Sequence, residues 1–381
     1  MQSPSYYEFL GRPKMISGRR ALEQIPVELE GYGAARPLVI VDGAASGIAP
    51  AIVKAMYDSS LVIGALFDGP VAGSTSGMVR ELAGLYSARK CDSIIVAGGG
   101  PLVDVAKCVN VEVCEKQAAA RFAGENRVSG ELSPIVLVPT ALVSGYESAR
   151  YAFIEGKMIA SDLLAPDMVV IDSRITSKAG ANPMLEAGLV ALAHSIEATI
   201  SPAANPMIDS YAYASIRLLC GNLPAAVGKP KNSRNSMAVA NGCAIAGTVF
   251  SNAPAGMTHY LAEALSDGNG VSPGIFMGIL IRSLLKARIA DKTGLRDELC
   301  LALVGPDIYS STGGEKRPQA AIESLDSLFR ELGGAVPAGL ESAGVSKGQL
   351  KGAAGQAAAA GPANLSEKEC LNLLERAWGG R

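Results

Sequence analysis

The stretch Asp92-Ser-Ile-Ile-Val-Ala-Gly98-Gly99-Gly100-Pro101-Leu-Val-Asp104-Val-Ala-Lys107 decides the fold. A short apolar run without polar alternation specifies a strand buried on both faces. Here it empties into three glycines, and a helix carrying Asp104 and Lys107 starts near Leu102. On the N-terminal side, Arg36-Pro-Leu-Val-Ile-Val-Asp42-Gly has the same character, and a helix follows over residues 48–56. A strand over residues 60–67 and a helix over residues 77–90 lead into the glycines. Residues 6–16 form a lead-in segment, and residues 19–30 a helix. On the C-terminal side, Pro134-Ile-Val-Leu-Val-Pro139 is another buried strand, running into Thr140, Ser144, Gly145 and Glu147. Residues 149–154 and 157–161 pair as a hairpin, and Asp167-Met-Val-Val-Ile-Asp172 is the last strand of this half. Strands alternating with helices specify a doubly wound parallel sheet.

From about Ser173 the period changes. Apolar residues recur every three or four positions through residues 208–219 and 236–250, as helices require. Residues 275–285 are apolar nearly all round, which fits a buried helix or a helix at a subunit interface. Residues 352–361 are a small-residue helix and turn. The expected division is an α/β domain over residues 1–176 and an all-helical domain over residues 177–381.

The triple glycine leaves backbone N–H groups bare at a helix N-terminus, where a pyrophosphate can sit; the alternative is a tight turn. Asp42, at the carboxyl end of its strand, can accept both ribose hydroxyls and would repel a 2′-phosphate, which favours NAD over NADP. A solvated loop acid or a helix N-cap is the alternative. The hydroxyls of Thr140 and Ser144 can hydrogen-bond phosphate or the nicotinamide side of a dinucleotide. Gly98, Gly99, Gly100, Asp104 and Lys157 complete the expected cofactor contacts.

Bulk properties exclude several classes. The 381 residues carry a net charge of −2, with 49% apolar and 18% charged residues. That composition packs a core, and no basic stripe or cluster points to nucleic acid or an anionic membrane. No uninterrupted apolar run reaches a membrane span, and the start of the chain lacks the pattern of a signal peptide. The cytoplasm is the expected location. The seven cysteines form no Cys-x-x-Cys pair, so reduced structural thiols are expected. The apolar C-terminal half suggests a homodimer or larger homo-oligomer.

Several segments resemble the group III iron-containing alcohol dehydrogenases. Gly98-Gly99-Gly100-Pro101-Leu-Val-Asp104-Val-Ala106-Lys107 is similar to the family's Gly-Gly-Gly-Ser-x-x-Asp-x-Ala-Lys signature, and Pro139-Thr140 through Glu147 to its Pro-Thr-Thr-x-Gly-Thr-Gly-Ser-Glu loop. Leu164-Ala-Pro166-Asp167, Ala193-His194-Ser-Ile-Glu197-Ala198, Ala204-Asn205-Pro206 and Asn364-Leu-Ser-Glu-Lys-Glu resemble later family segments in the family's order. The resemblance implies a dehydroquinate synthase-like architecture: a dinucleotide-binding α/β domain, an all-helical domain, and an active site in the cleft between them. It also implies interconversion of a small alcohol with its aldehyde or ketone, using NAD(P) and a divalent iron or zinc.

The resemblance places four metal ligands at particular positions. Two are kept, as His194 and His259, the two histidines of the chain; Val190 and Pro273 stand at the other two. A further family histidine is replaced by Glu263. Three accounts stay open. His194 and His259 act without metal as acid or electrostatic stabiliser, as the resemblance to maleylacetate reductases implies. Alternatively, Glu263, one helical turn after His259, rebuilds a site of two histidines and a carboxylate. In the third, the chain is a pseudoenzyme that binds a nucleotide or serves an assembly. Substitution at Pro101 and at Val143-Ser-Gly-Tyr146 supports some drift of the cofactor site as well, since proline removes an N–H where a phosphate would bind, although proline is otherwise well tolerated at a helix's first position.

Overall fold

The computed structural model describes residues 4–41, 43, 48–57, 59, 61–71, 73–140 and 145–380. In chain order these give β1 (Lys14–Gly18), α1 (Ile25–Gly31), β2 (Pro37–Val41), α2 (Ile48–Tyr57), β3 (Ala65–Phe67), α3 (Ser76–Ala88), β4 (Ser93–Gly98) and α4 (Pro101–Glu115). Then come β5 (Gly124–Glu125), β6 (Ile135–Pro139), β7 (Tyr151–Ile154), β8 (Lys157–Ala160), β9 (Met168–Asp172) and α5 (Ser173–Thr176). The rest is helical: α6 (Ala181–Ile200), α7 (Pro206–Gly228), α8 (Ser233–Asn252), α9 (Met257–Ser266), α10 (Pro273–Ala290), α11 (Asp297–Ser311), α12 (Arg317–Glu331), α13 (Lys347–Ala360) and α14 (Glu367–Trp378).

Contacts divide the chain into two compact units. One holds Leu10–Gly180 together with Pro230–Ser251; the other holds residues up to Phe9, Ala181–Lys229 and the chain from Asn252 on. This differs from a single break at residue 176. The α8 segment goes with the α/β unit because its backbone at Gly247 lies against Gly145: a Cβ on Gly247 would stand 1.9 Å from the Gly145 carbonyl oxygen. The N-terminal residues go with the helices, where the Phe9 ring packs at 5.2 Å on Tyr211 of α7.

In the α/β unit the main sheet runs β1-β9-β6-β4-β2-β3, with every neighbouring pair parallel. Val39, Val41, Ile95, Ala97, Val136, Val138 and Val170 pack on one face with Leu22, Ile25, Leu29, Ile52 and Met56. The alternate residues Leu38, Ile40, Ile94, Val96, Leu137 and Ile171 are equally buried, with α4 against β2, β4 and β6. Both faces are covered, so the strands read as unbroken apolar runs rather than alternating ones. Each such side chain contributes roughly 1.5–3 kcal/mol by leaving water.

From β2 the chain runs outward to β3 and returns to β4 on the other side of β2. That reversal opens a crevice outside the carboxyl ends of β2 and β4, where open α/β sheets bind ligands. Two strands depart from the sequence reading. β1 falls in the expected lead-in; Lys-Met-Ile-Ser-Gly has no apolar run, because an edge strand paired with β9 alone is half exposed. β3 covers the last three residues of the stretch expected over 60–67, pairing with β2 at Leu38, Val39 and Ile40.

In the helical unit α6 packs on α7 and α10, and α10 packs also on α9 and α14. Phe276, Met277, Ile279, Leu280, Ile281 and Leu285 are all buried, so the apolar stretch over 275–285 is a buried helix. The small residues of α13 bury Ala353, Ala354 and Ala357. Ser366 caps α14, with Glu369 returning the bond in a capping box. Among the described residues no helix is long and apolar enough to cross a membrane.

The end of β9 is fastened by a three-residue charge network. Arg174 donates to both oxygens of Glu23, at 2.9 and 2.6 Å, and to both oxygens of fully buried Asp172, at 2.9 and 2.7 Å. Burial alone would raise the Asp172 pKa; the hydrogen bonds from Arg174 and the Leu22 N–H outweigh it and hold it below its ordinary value. The Arg174 side chain lowers that of Glu23 as well. Depressed carboxylate pKa values contribute stability above the unfolded-state pKa, and it is lost as pH falls through the folded one. Arg174→Ala is expected to cost about 1–2 kcal/mol near neutral pH, with screening of the half-exposed guanidinium included. In thermal melts the gap from the parent should narrow below pH ~4. A gap that persists in acid would show that packing, not charge, holds this corner.

Candidate functional site

The sheet register brings the expected nucleotide residues to one edge. Val41, the last residue of β2, pairs with Ala97, and Gly98 pairs with Pro139. The end of β2, the glycines and Thr140 therefore sit side by side at the carboxyl end of the sheet. Asp42 and Ser144 lie outside the described residues. Gly98 has no room for a side chain, since a Cβ would meet Leu102 Cδ2 at 2.2 Å. Gly100 takes φ 49°, a left-handed conformation that glycine adopts without strain, and Pro101 occupies the first position of α4. The helix start is less bare than the sequence suggested. The N–H groups of Leu102 and Val103 turn back onto the carbonyls of Gly99 and Gly100, at 3.2 and 3.1 Å.

Below this edge lies a cluster of buried charges. Lys107 is 1% exposed, and its ammonium donates to the carbonyls of Tyr146 (3.3 Å), Ala149 (2.5 Å) and Tyr151 (3.0 Å). It fastens α4 to the loop after β6 and to β7. Burial pushes its pKa down to about 8. Asp104, expected to touch cofactor, accepts the Phe153 N–H of β7 at 3.0 Å, and burial raises its carboxyl to about 6. Buried Glu147 accepts the Gly145 N–H at 3.1 Å, and burial raises it to about 7. Gly145 stands at φ 103°, where a Cβ would meet the Gly247 nitrogen at 2.5 Å. Tyr146 packs edge-on against Phe153 and tilted against Phe250, with ring centroids at 6.3 and 5.6 Å, so an aromatic cluster steadies the loop where the family motif is broken. Lys157, another expected contact, opens β8 opposite Ile154 on the exposed side of the hairpin turn. The roles of Lys107 and Glu147 were hidden in the sequence; a lysine on a helix that is otherwise buried was the available signal.

In the helical unit the two histidines meet. His194 Nε2 lies 3.3 Å from His259 Nδ1, and His259 Nε2 lies 3.3 Å from Glu263 Oε1. Burial, followed by the neighbouring His259, holds the His194 pKa well below the ordinary imidazole value. Burial lowers that of His259 too, while Glu263 opposes the change. Val190 is half-buried one turn before His194, and Pro273 starts α10. The two nitrogens of His259 face different partners, so His194, His259 and Glu263 do not converge on one point. Among the described residues no group of three or more His, Cys, Asp or Glu side chains is arranged to hold a metal ion.

Glu197, three residues after His194, is buried and accepts both the backbone N–H of Thr258 (2.9 Å) and its hydroxyl (2.6 Å). Burial raises its carboxyl to about 7, against the pull of those two bonds. The sequence offered this glutamate as part of a motif, without a role.

The profile described as "Iron-containing alcohol dehydrogenase" matches residues 13–173, and "Fe-containing alcohol dehydrogenase family, C-terminal" matches residues 184–378. The chain is 24% identical over 349 residues to an NAD-dependent methanol dehydrogenase of Bacillus methanolicus, covering 89% of this chain and 90% of that protein. It is 26% identical over 382 residues to lactaldehyde reductase of Escherichia coli strain K12, covering 95% and 97%. The fold superposes on the crystal structure of a 1,3-propanediol oxidoreductase with a TM-score of 0.87 at 22% identity, covering 98% of this chain and all of that one.

Lys107→Met removes the ammonium and leaves buried carbonyls without a donor. Each such orphaned group costs ~1–3 kcal/mol, so an overall loss of about 2–4 kcal/mol is expected in urea denaturation. An unchanged midpoint would mean that the carbonyls find other donors.

Proposed function

The chain belongs to the iron-containing alcohol dehydrogenase family, and on that premise we propose that it reduces a small aldehyde or ketone, and oxidises the matching alcohol, with a preference for NAD and without the family's four-ligand metal. It is an oxidoreductase of the alcohol dehydrogenase and aldehyde reductase type. The preference for NAD rests on Asp42, the residue that follows β2 in the sequence; β2 itself pairs with β4, the strand that leads into the glycines. A carboxylate there favours a free ribose hydroxyl over a 2′-phosphate.

The donor set does not fit the family's metal. Val190 and Pro273 offer no donor atom, and Glu263 addresses the nitrogen of His259 that faces away from His194. A rebuilt site of two histidines and a carboxylate would need all three to aim at one ion. The 3.3 Å contact between His194 Nε2 and His259 Nδ1, continued by Glu263, carries the reading. If His259 Nε2–H donates to Glu263, its Nδ1 is an acceptor and His194 Nε2–H donates to it. The series runs from an exposed carboxylate, 56% accessible, to a buried imidazole, 5% accessible. Bound NAD(H) supplies or accepts the hydride. In the oxidising direction this polarity carries the alcohol's proton out, from His194 Nε2–H to His259 Nδ1 and from His259 Nε2–H to Glu263 and solvent, while His194 Nδ1 takes up the proton of the alcohol. In the reducing direction both tautomers are reversed, and a proton passes from Glu263 to His259 Nε2, from His259 Nδ1–H to His194 Nε2, and from His194 Nδ1–H to the carbonyl oxygen. Both rings are held neutral by burial, so the pair acts as a proton donor and acceptor rather than as a fixed cation.

Tag-free protein should bind NADH in a fluorescence titration and reduce members of a small-aldehyde panel, at a rate unchanged by chelator or by added Fe²⁺ or Zn²⁺. His259→Ala and His194→Ala should each lower kcat by roughly 10²–10⁴-fold, with NADH affinity nearly constant. Activity that appears only with added metal would overturn the metal-free mechanism. NADH binding without turnover across the panel would favour a nucleotide-binding pseudoenzyme.

A further inference from the structure

Helix α9, which carries His259, begins at Gly256 without a side-chain cap of its own, and it has no acidic residue in its first turn. The missing cap comes from another helix. Glu197 of α6 reaches the start of α9, taking the Thr258 N–H on Oε1 and the Thr258 hydroxyl on Oε2. A carboxylate at that end is favoured by the free N–H groups and by the helix dipole. The fit is close. A Cβ on Gly256 would stand 2.3–2.5 Å from the Glu197 carboxyl atoms, so only glycine leaves room for this cap.

The placement matters because of its neighbours. Glu197 lies one turn beyond His194 on α6, and Thr258 directly precedes His259 on α9. The same two helices are thus tied at adjacent points: carboxylate to Thr258, and imidazole to imidazole at 3.3 Å. Thr258 is fully buried and Glu197 6% exposed, so water does not compete freely for these bonds. We propose that Glu197 is a positioning residue: through Thr258 it sets the height and rotation of α9, and so holds His259 within reach of His194. This rests on the reading of the histidine pair as the proton carrier. Glu197, Gly256 and Met257 also line a cavity of about 540 Å³, so truncation at Glu197 opens into existing space rather than into a closed core.

The test uses tag-free, NADH-loaded enzyme, in which these two histidines are the sole source of imidazole signals. Glu197→Gln keeps the size and loses one acceptor; Thr258→Val keeps the shape and loses the hydroxyl; Thr258→Ser restores it. Glu197→Gln and Thr258→Val should shift the ring resonances of the pair at neutral pH and lower kcat by about 10- to 100-fold, the scale of a misplacement of about an ångström. KM and NADH affinity should stay within about a factor of two of the parent, because uniform binding is untouched. Thr258→Ser should return both the resonances and kcat. Unshifted resonances in Glu197→Gln and Thr258→Val overturn the positioning role, whatever the rates do. Shifted resonances together with full activity of His259→Ala support the positioning role and defeat the proton-carrier reading instead.

Discussion

A buried ammonium with its hydrogen bonds aimed at backbone carbonyls fastens the chain at the carboxyl edge of the sheet. Lys107 cannot leave its place without orphaning carbonyls on the loop after β6 and on β7. Burial draws the Lys107 pKa down to about 8, the Asp104 and Glu147 carboxyls oppose the change, and the carbonyls supply the hydrogen bonds that water would have made. The charge fixes three segments at once: a helix, a loop and a strand. Around it, Asp104 takes a β7 N–H and Glu147 takes the Gly145 N–H. The segment that resembles a nucleotide-binding signature is, at its second half, a scaffold for the chain after β6.

The helical unit uses the same device with the sign reversed. Glu197 is a buried carboxylate satisfied by a backbone N–H and a hydroxyl. In both units a buried ionisable group is satisfied largely by backbone groups. Side-chain partners swing on their own torsions; backbone partners are fixed by the elements they belong to, so the geometry next to the site is held by secondary structure.

Much of this was legible in the sequence, for physical reasons. Strands covered on both faces must be continuous apolar runs, so β2, β4, β6 and β9 declared themselves. The glycines at the end of β4 offered either bare N–H groups for a phosphate or a tight turn, and a turn is present, with Gly98 crowded by the Leu102 side chain and Gly100 at positive φ. His194 and His259 were visible because histidine is rare in this chain, and they do meet. What stayed hidden shares a cause. β1 and the shortness of β3 belong to sheet edges, where burial no longer imposes a pattern. The roles of Lys107, Glu147 and Glu197 depend on partners 39 or more positions away, or on a single turn of backbone, and periodicity does not carry such information. The placement of α8 was hidden too, because helical period says nothing about which unit a helix joins.

That placement bears on how the protein is made. The chain leaves the α/β unit at Gly180 and returns to it at Pro230. Until Ser251 has left the ribosome, Gly145 has no Gly247 to lie against, and Tyr146 lacks Phe250. Domains generally fold as units during synthesis, N-terminal first, but here the chain after β6 gains its α8 partners only after α6 and α7 have been translated. The α/β unit is therefore complete only once a segment from beyond α6 and α7 has joined it.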